Sequence, residues 1–266
     1  MPSLRILAPL PLAVGMLLSG TSLRAQGFEY AMGTSRYKIT MNTKATQTSP
    51  FGNADFDVEM RQFVTVDLNK RTRDTVTANM VLDSIAVQMT TGVPSDMSEL
   101  NGAKFTTLMS PTGRFYSSRS GTRMDPMMEQ FTDGVVRLVP SVRSNLANGA
   151  SWSDTTTGKV TMQGMQMDRT TVSSYKVTGD TVVAGQKAFR IRRTTTSSAS
   201  GGGNMQANSL NVDLVSSGTG TFFVTARGSY LGGTSTDDVT TKVTMMPQNM
   251  QMGVKQTVQT RVEPIK

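Results

Sequence analysis

From residue 54 to 68 the chain keeps a two-residue rhythm. Phe56, Val58, Met60, Val64, Val66 and Leu68 fall on one parity, and Asp55, Asp57, Glu59, Arg61 and Asp67 on the other. Successive side chains of an extended chain point to opposite faces, so this pattern specifies a strand with one buried and one wet face. A helix would scatter the same residues around its axis. Residues 36–45 repeat the pattern, with Tyr37, Ile39, Met41 and Ala45 opposed by Arg36, Lys38, Thr40, Asn42 and Lys44. Both runs exceed the common strand length of about 5–6 residues. Long amphipathic strands joined by short turns require a large antiparallel sheet.

The remaining sequence continues in this way. Phe51-Gly52-Asn53 reads as a turn, and residues 69–74 as a charged one. In the run 75–89 the apolar phase switches near Asp83-Ser84, from Val76/Ala78/Met80/Leu82 to Ile85/Val87/Met89, which predicts a bulge. Runs 104–109 and 114–117 flank the turn Ser110-Pro111-Thr112-Gly113. After Trp152, strands are expected at 158–162, 168–177, 181–192, 210–215, 218–226, 238–246 and 253–262. Ser197–Gly203 reads as a mobile Ser/Gly loop, and Asp237-Asp238 as a turn. One helix is expected over 125–139. Asp125 would cap it, Pro126 would occupy its first position, and Pro140 would end it. Its apolar stripe would be Met128, Phe131, Val135 and Leu138.

The expected fold class is mainly β: a long curved antiparallel sheet, as a half-barrel or open barrel, with one main helix near 125–139. Two stretches, 28–120 and 150–262, share an order of hairpin, polar turn and long strand, which reads as a duplicated meander joined by that helix. The expected organisation is a signal peptide at 1–25 followed by a single β-rich domain at 26–266.

The front of the chain carries Arg5, an apolar run from Ile6 to Leu18, and small residues before Ala25. This is the layout of a secretory signal, and it predicts a mature start at Gln26. Leu17-Leu18-Ser19-Gly20 is followed by Thr21, where a lipoprotein signal would have its cysteine, so no lipid anchor is expected. The apolar run is too short, and too interrupted by Pro9 and Pro11, to span a bilayer. The predicted location is exported, periplasmic or extracellular. A formal charge of +8 makes an anionic envelope surface a candidate partner. No basic run interleaves with aromatics, so no nucleic acid is expected.

The chain has no histidine and no cysteine. That removes the usual bases, nucleophiles and soft metal ligands, so no enzyme, no cofactor and no metal site is expected. No Gly-x-Ser-x-Gly elbow or phosphate loop occurs. Asp55, Asp57 and Glu59 read as a solvated strand face. What remains is methionine, 20 residues of it, clustered at 162–167 and 245–252. Methionine adapts to irregular apolar cavities. Met162, Met165, Met167, Met250 and Met252, with Phe131 from the helix, are therefore the candidate rim of a ligand cavity. If so, Met165, Met167, Met250 and Met252 should lie together and stay partly exposed.

The order of long strands, a segment ending Leu138-Val139-Pro140, then Gly149-Ala150-Ser151-Trp152, then Gly218-Thr219-Gly220-Thr221-Phe222-Phe223 and Arg227-Gly228-Ser229-Tyr230 resembles a family of exported bacterial β-rich proteins. In outline the architecture is similar to periplasmic lipoprotein-carrier and outer-membrane lipoprotein-receptor half-barrels. That likeness implies an apolar cavity between sheet and helix and a lipid or lipoprotein acyl chain as partner. Two rivals stand beside this reading: a structural or surface-interaction protein with a filled core, and a thioether Cu(I) binder. An integral outer-membrane barrel is disfavoured, because 5 tyrosines and 1 tryptophan are few for two aromatic girdles. The chain is expected not to span the membrane.

Overall fold

A computed structural model describes residues 27–72, 74–90, 97–123, 132–162, 165–205, 208–246 and 250–265. The expected signal segment lies outside them. The described chain forms one antiparallel sheet of eleven strands. They are β1 (Gly33–Ser49), β2 (Gly52–Arg71), β3 (Val76–Met89), β4 (Ala103–Met109), β5 (Phe115–Ser120), β6 (Ser151–Met162), β7 (Met165–Val183), β8 (Gln186–Met205), β9 (Asn208–Val224), β10 (Tyr230–Met246) and β11 (Met250–Ile265). The spatial order is β5-β4-β3-β2-β1-β11-β10-β9-β8-β7-β6. Every neighbour is a sequence neighbour except one: β1 pairs with β11, from Arg36 opposite Ile265 to Thr48 opposite Gly253. The sheet does not close, and β5 and β6 are its edges.

The buried parity is the predicted one. Tyr37, Ile39, Met60, Val64, Val66 and Leu68 are all enclosed, and the β3 partners of the last four, Val87, Leu82, Met80 and Ala78, are enclosed with them. The phase switch in β3 is a bulge. Phe63 faces Ser84 and Val64 faces Leu82, which leaves Asp83 as the extra residue. Its carboxylate turns outward, where it accepts from the Thr65 hydroxyl at 2.8 Å and meets the Arg36 guanidinium at 3.2 Å.

The structure corrects several expectations. Ser197–Gly203 is no loop but the interior of β8. Its small residues answer a packing demand: a Cβ on Gly201 would come within 2.3 Å of the Gln166 carbonyl oxygen and 2.8 Å of Met167 Cγ. Asp237-Asp238 lies within β10 rather than in a turn. The expected strand 181–192 straddles a tight turn at Ala184-Gly185, and 210–226 is largely one strand, β9. Of the expected helix 125–139, the described residues show α1 (Asp133–Val136). Residues 124–131, with Phe131, lie outside the described set. Gly134 and the β-branched Val135 and Val136 are weak helix formers. Leu138 follows without helical backbone, yet Val135 and Leu138 are both buried as the stripe required.

The segment 132–146 crosses from the β5 edge toward β6 as a strap over the concave face. The Thr107 hydroxyl donates to the Val136 carbonyl at 3.1 Å, and Val142 N–H donates to the Thr112 carbonyl at 2.8 Å. One end of the curled sheet is sealed by this strap and by residues 27–32. Tyr30 donates from its hydroxyl to the Pro140 carbonyl at 2.8 Å and from its amide to the Pro111 carbonyl at 2.9 Å. Phe28 N–H donates to the Ser144 carbonyl. Gly228, at φ +87°, allows that crossing, because a Cβ there would sit 2.1 Å from the Glu29 carbonyl oxygen. Near this end the edges approach each other, with Arg114 3.8 Å from Asp154 of β6.

The main core fills this sealed end. A separate small cluster, Met167, Ala199, Leu210 and Val212, occupies the opposite end, where the hairpins β6–β7, β8–β9 and β10–β11 turn. Leu82 is fully enclosed at the meeting of β2, β3 and β4. Leu82→Ala is expected to cost about 2–5 kcal/mol in urea unfolding, whereas Leu108→Ala, at a site 37% exposed, should stay within about 1 kcal/mol.

Candidate functional site

The concave face is ordered by polarity along the strands. Nearest the sealed end, one register row runs Ile191, Phe222, Gly233, Val262 and Ile39 across β8, β9, β10, β11 and β1. The next row runs Trp152, Tyr175, Arg193, Gly220, Ser235, Thr260 and Met41 from β6 to β1. Beyond it the face turns to small hydroxyls. Ser173 and Thr195 pair at 3.3 Å, Thr171 and Ser197 at 2.9 Å, and the Arg169 Nε–H donates to both Thr171 and Ser197 at 3.3 Å. The methionine cluster lies past these.

At the first boundary a cavity of about 190 Å³ opens between the sheet and the strap. Its apolar wall is Ile39, Met41, Leu138, Phe222, Tyr230 and Val262; Arg137, Arg193, Ser235 and Thr260 add polar atoms. Alternation along β8 aims Arg193 inward, on the same parity as Phe189 and Ile191. The Arg137 guanidinium lies over the Phe115 ring, 4.3 Å from its centroid. A second hollow, larger at about 600 Å³ but more open to solvent, lies on the outer face across β2, β1, β11 and β10. There Asp55, Asp57 and Asp238 face Lys44 and Lys255, and Thr257 donates to Asp238 at 2.6 Å. Its charges compensate within the sheet and present no single sign to a ligand.

Four tyrosines gather around the sealed end. Trp152 stacks on Tyr175 at 5.1 Å, Tyr175 meets Phe222 edge-on at 6.2 Å, and Tyr37 lies 5.5 Å from Tyr230. The Tyr37 hydroxyl donates to the Tyr230 carbonyl at 3.2 Å. Burial pushes the phenol pKa values of Tyr30, Tyr37, Tyr175 and Tyr230 above the ordinary value of 10.0, because an enclosed phenolate loses its hydration. For Tyr175 and Tyr230 the nearby Arg193 charge opposes that rise.

Of the sequence-predicted site residues, the described side chains of Met167, Met250 and Met252 lie away from the cavity wall, and Phe131 lies outside the described residues. Met162 and Met165 are direct partners at the β6–β7 turn. Met167 is 1% exposed, packed with Ala199, Leu210 and Val212. Met250 faces Met245, and Met252 faces Val243; both are half-buried. Because Met245 and Val243 also pack on the Met167 cluster, the two methionine turns share one apolar patch at the far end. Sequence reasoning missed Arg193, Phe222, Tyr230, Ile39 and Met41. The readable signal was an arginine on the buried parity of β8.

No protein-family model matches the chain, and no curated protein is significantly similar to it. Among solved structures, the chain overlaps OccK2 (OpdF) of Pseudomonas aeruginosa at 6% identity and TM-score 0.27, covering 89% of this chain and 100% of that one. It overlaps the COG4313 outer membrane channel of Pseudomonas putida F1 at 8% identity and TM-score 0.26, covering 90% and 98%. For Neisserial surface protein A the figures are 9%, 0.19, 86% and 98%. Similarity at this level reflects long antiparallel strands and carries no functional argument.

Above pH 10.0 the unfolded chain releases phenol protons that the folded chain retains. Stability should therefore be level below that pH and fall as pH rises through the raised folded values. Urea midpoints measured at about pH 9 and about pH 11 should differ in that direction. Tyr30→Phe should shrink the difference, since one enclosed phenol is gone.

Proposed function

We propose that this chain is a non-enzymatic protein of the bacterial envelope that holds an apolar ligand, a lipid or a lipoprotein acyl chain, between its concave face and the strap. The observation that carries the reading is the cavity itself. It is walled by Ile39, Met41, Leu138, Phe222, Tyr230 and Val262, at the margin of the main core. At about 190 Å³ it exceeds the roughly 150 Å³ that admits a benzene-sized guest, and it would take a tail of about six to eight carbons with the strap in place. A longer chain requires the strap to lift.

The polarity of the outer face supports a protein surrounded by water rather than lipid. Outward positions of β1 are Arg36, Lys38, Thr40, Asn42, Lys44 and Thr46, and those of β11 include Lys255, Thr257, Gln259 and Arg261. A transmembrane barrel needs an apolar band in that place. The signal-like start of the sequence supports export, to the periplasm or beyond.

Native mass spectrometry of the exported protein, purified without detergent and then titrated with decanol, tests the reading. A retained lipid, or decanol uptake abolished by Met41→Trp with the melting curve preserved, is the expected result. Replacing Met165, Met167, Met250 and Met252 by leucine should leave uptake unchanged, because leucine keeps the apolar volume and these residues lie at the other end. A bare chain that takes up no decanol would return the protein to a structural role with a filled core. Tight Cu(I) uptake lost in the four-leucine variant would make it a thioether copper binder.

A further inference from the structure

We propose that the ligand of this cavity is an amphiphile with an anionic head, a carboxylate or a phosphate monoester, whose charge is met by Arg193. The inference rests on the apolar-ligand reading and deepens it. Three observations carry it.

First, Arg193 projects from β8, the third strand from the β6 edge, into the cavity wall, half-buried, beside Tyr175 and Tyr230. Among the described residues it forms no ion pair. The carboxylates nearest to it in register are engaged elsewhere: Asp154 with Arg114 at 3.8 Å, and Asp237 as acceptor from the Ser235 hydroxyl at 3.1 Å. A half-buried guanidinium with no ion pair among the described residues is free to meet an anion brought by a ligand. Guanidinium geometry suits the two oxygens of a carboxylate or phosphate.

Second, the row is rich in donors. Trp152 Nε1–H, on the same row two strands away, is enclosed with no acceptor among the described residues. Gly220 is the register partner of Arg193 on β9, and its missing side chain admits the close approach of β10, where a Cβ would come within 2.8 Å of the Thr234 carbonyl oxygen.

Third, the polarity runs in the order an amphiphile requires. On the sealed-end side of Arg193 lie Ile39, Leu138, Phe222 and Val262, which suit a tail. On the other side lie Ser173, Thr195, Thr171 and Ser197, which suit a hydrated head.

Isothermal titration of the folded full chain with octanoate, octanol, octyl phosphate, acetate and inorganic phosphate tests this. Octanoate and octyl phosphate should bind about tenfold or more tighter than octanol, the scale of one charge-assisted contact. Acetate and inorganic phosphate should bind far more weakly than either chain-bearing anion. Arg193→Gln should bring octanoate down to the level of octanol while octanol itself is unchanged, and Arg193→Lys should restore part of the preference. Equal binding of octanoate and octanol to the wild type overturns the anionic head but leaves the apolar reading standing. Binding of acetate or inorganic phosphate as tight as the amphiphiles overturns it too, because the site would then be a plain anion site. If no chain-bearing probe binds, the apolar reading fails and this inference with it. The wild-type comparison decides the matter even if Arg193→Gln does not fold.

Discussion

The rest of the molecule depends on the antiparallel pairing of β1 with β11. All other strand pairs close through local connections, so each arm of the sheet could in principle zip along its own sequence. The β1–β11 ladder joins residues more than two hundred positions apart, from Arg36 with Ile265 to Thr48 with Gly253. It merges the five-stranded arm β1–β5 and the six-stranded arm β6–β11 into one surface. The loop that this ladder closes is nearly the whole chain, which makes it the most costly contact in entropy and the slowest to find. Once it forms, Ile39 meets Val262, and the apolar rows of the two arms become one continuous core floor.

Curvature then decides what the floor can hold. A right-handed twist accumulated over eleven strands curls the sheet, and the bulge at Asp83 adds to the bend. The curl brings β5 toward β6 near the sealed end, where Arg114 approaches Asp154, but the strands do not pair. The strap and the segment 27–32 fill the space that a closed barrel would have lost. Glycine permits this filling at the closest crossings. A Cβ on Gly113 would strike the Pro140 carbonyl oxygen at 2.4 Å, as one on Gly228 would strike Glu29. The described part of the strap is held largely through its main-chain carbonyls, which accept from the Thr107 and Tyr30 hydroxyls and from the Phe28 amide.

The concave face carries two apolar regions separated by a hydroxyl belt. Such a belt is an uncommon use of an inner face, because buried hydroxyls must find partners. Here Ser173, Thr195, Thr171 and Ser197 satisfy one another across β7 and β8, with Arg169 bound into the same network. The belt isolates the methionine cluster from the main core. It also places Arg193 at the junction of an apolar wall and a polar one, which gives the cavity its chemical direction.

The sequence by itself determined the strand-forming segments, their buried parity and the bulge in β3, because a period of two is a local property of consecutive residues. It also determined that Val135 and Leu138 would be inward-facing. It misread Ser197–Gly203 as a loop, since small residues signal flexibility only when nothing presses on them, and here Gln166 and Met167 do. Of the helix expected over 125–139, the described residues hold α1 at Asp133–Val136, and the backbone leaves helical geometry before Leu138. The tertiary structure alone decided which residues would share a site. Ile39, Arg193, Phe222 and Val262 come from four strands, and their adjacency is set by register and by the β1–β11 pairing, neither of which is written in any local window. The methionine clusters are adjacent in sequence and meet at the far end of the sheet, whereas the cavity lies at the other end, under the strap.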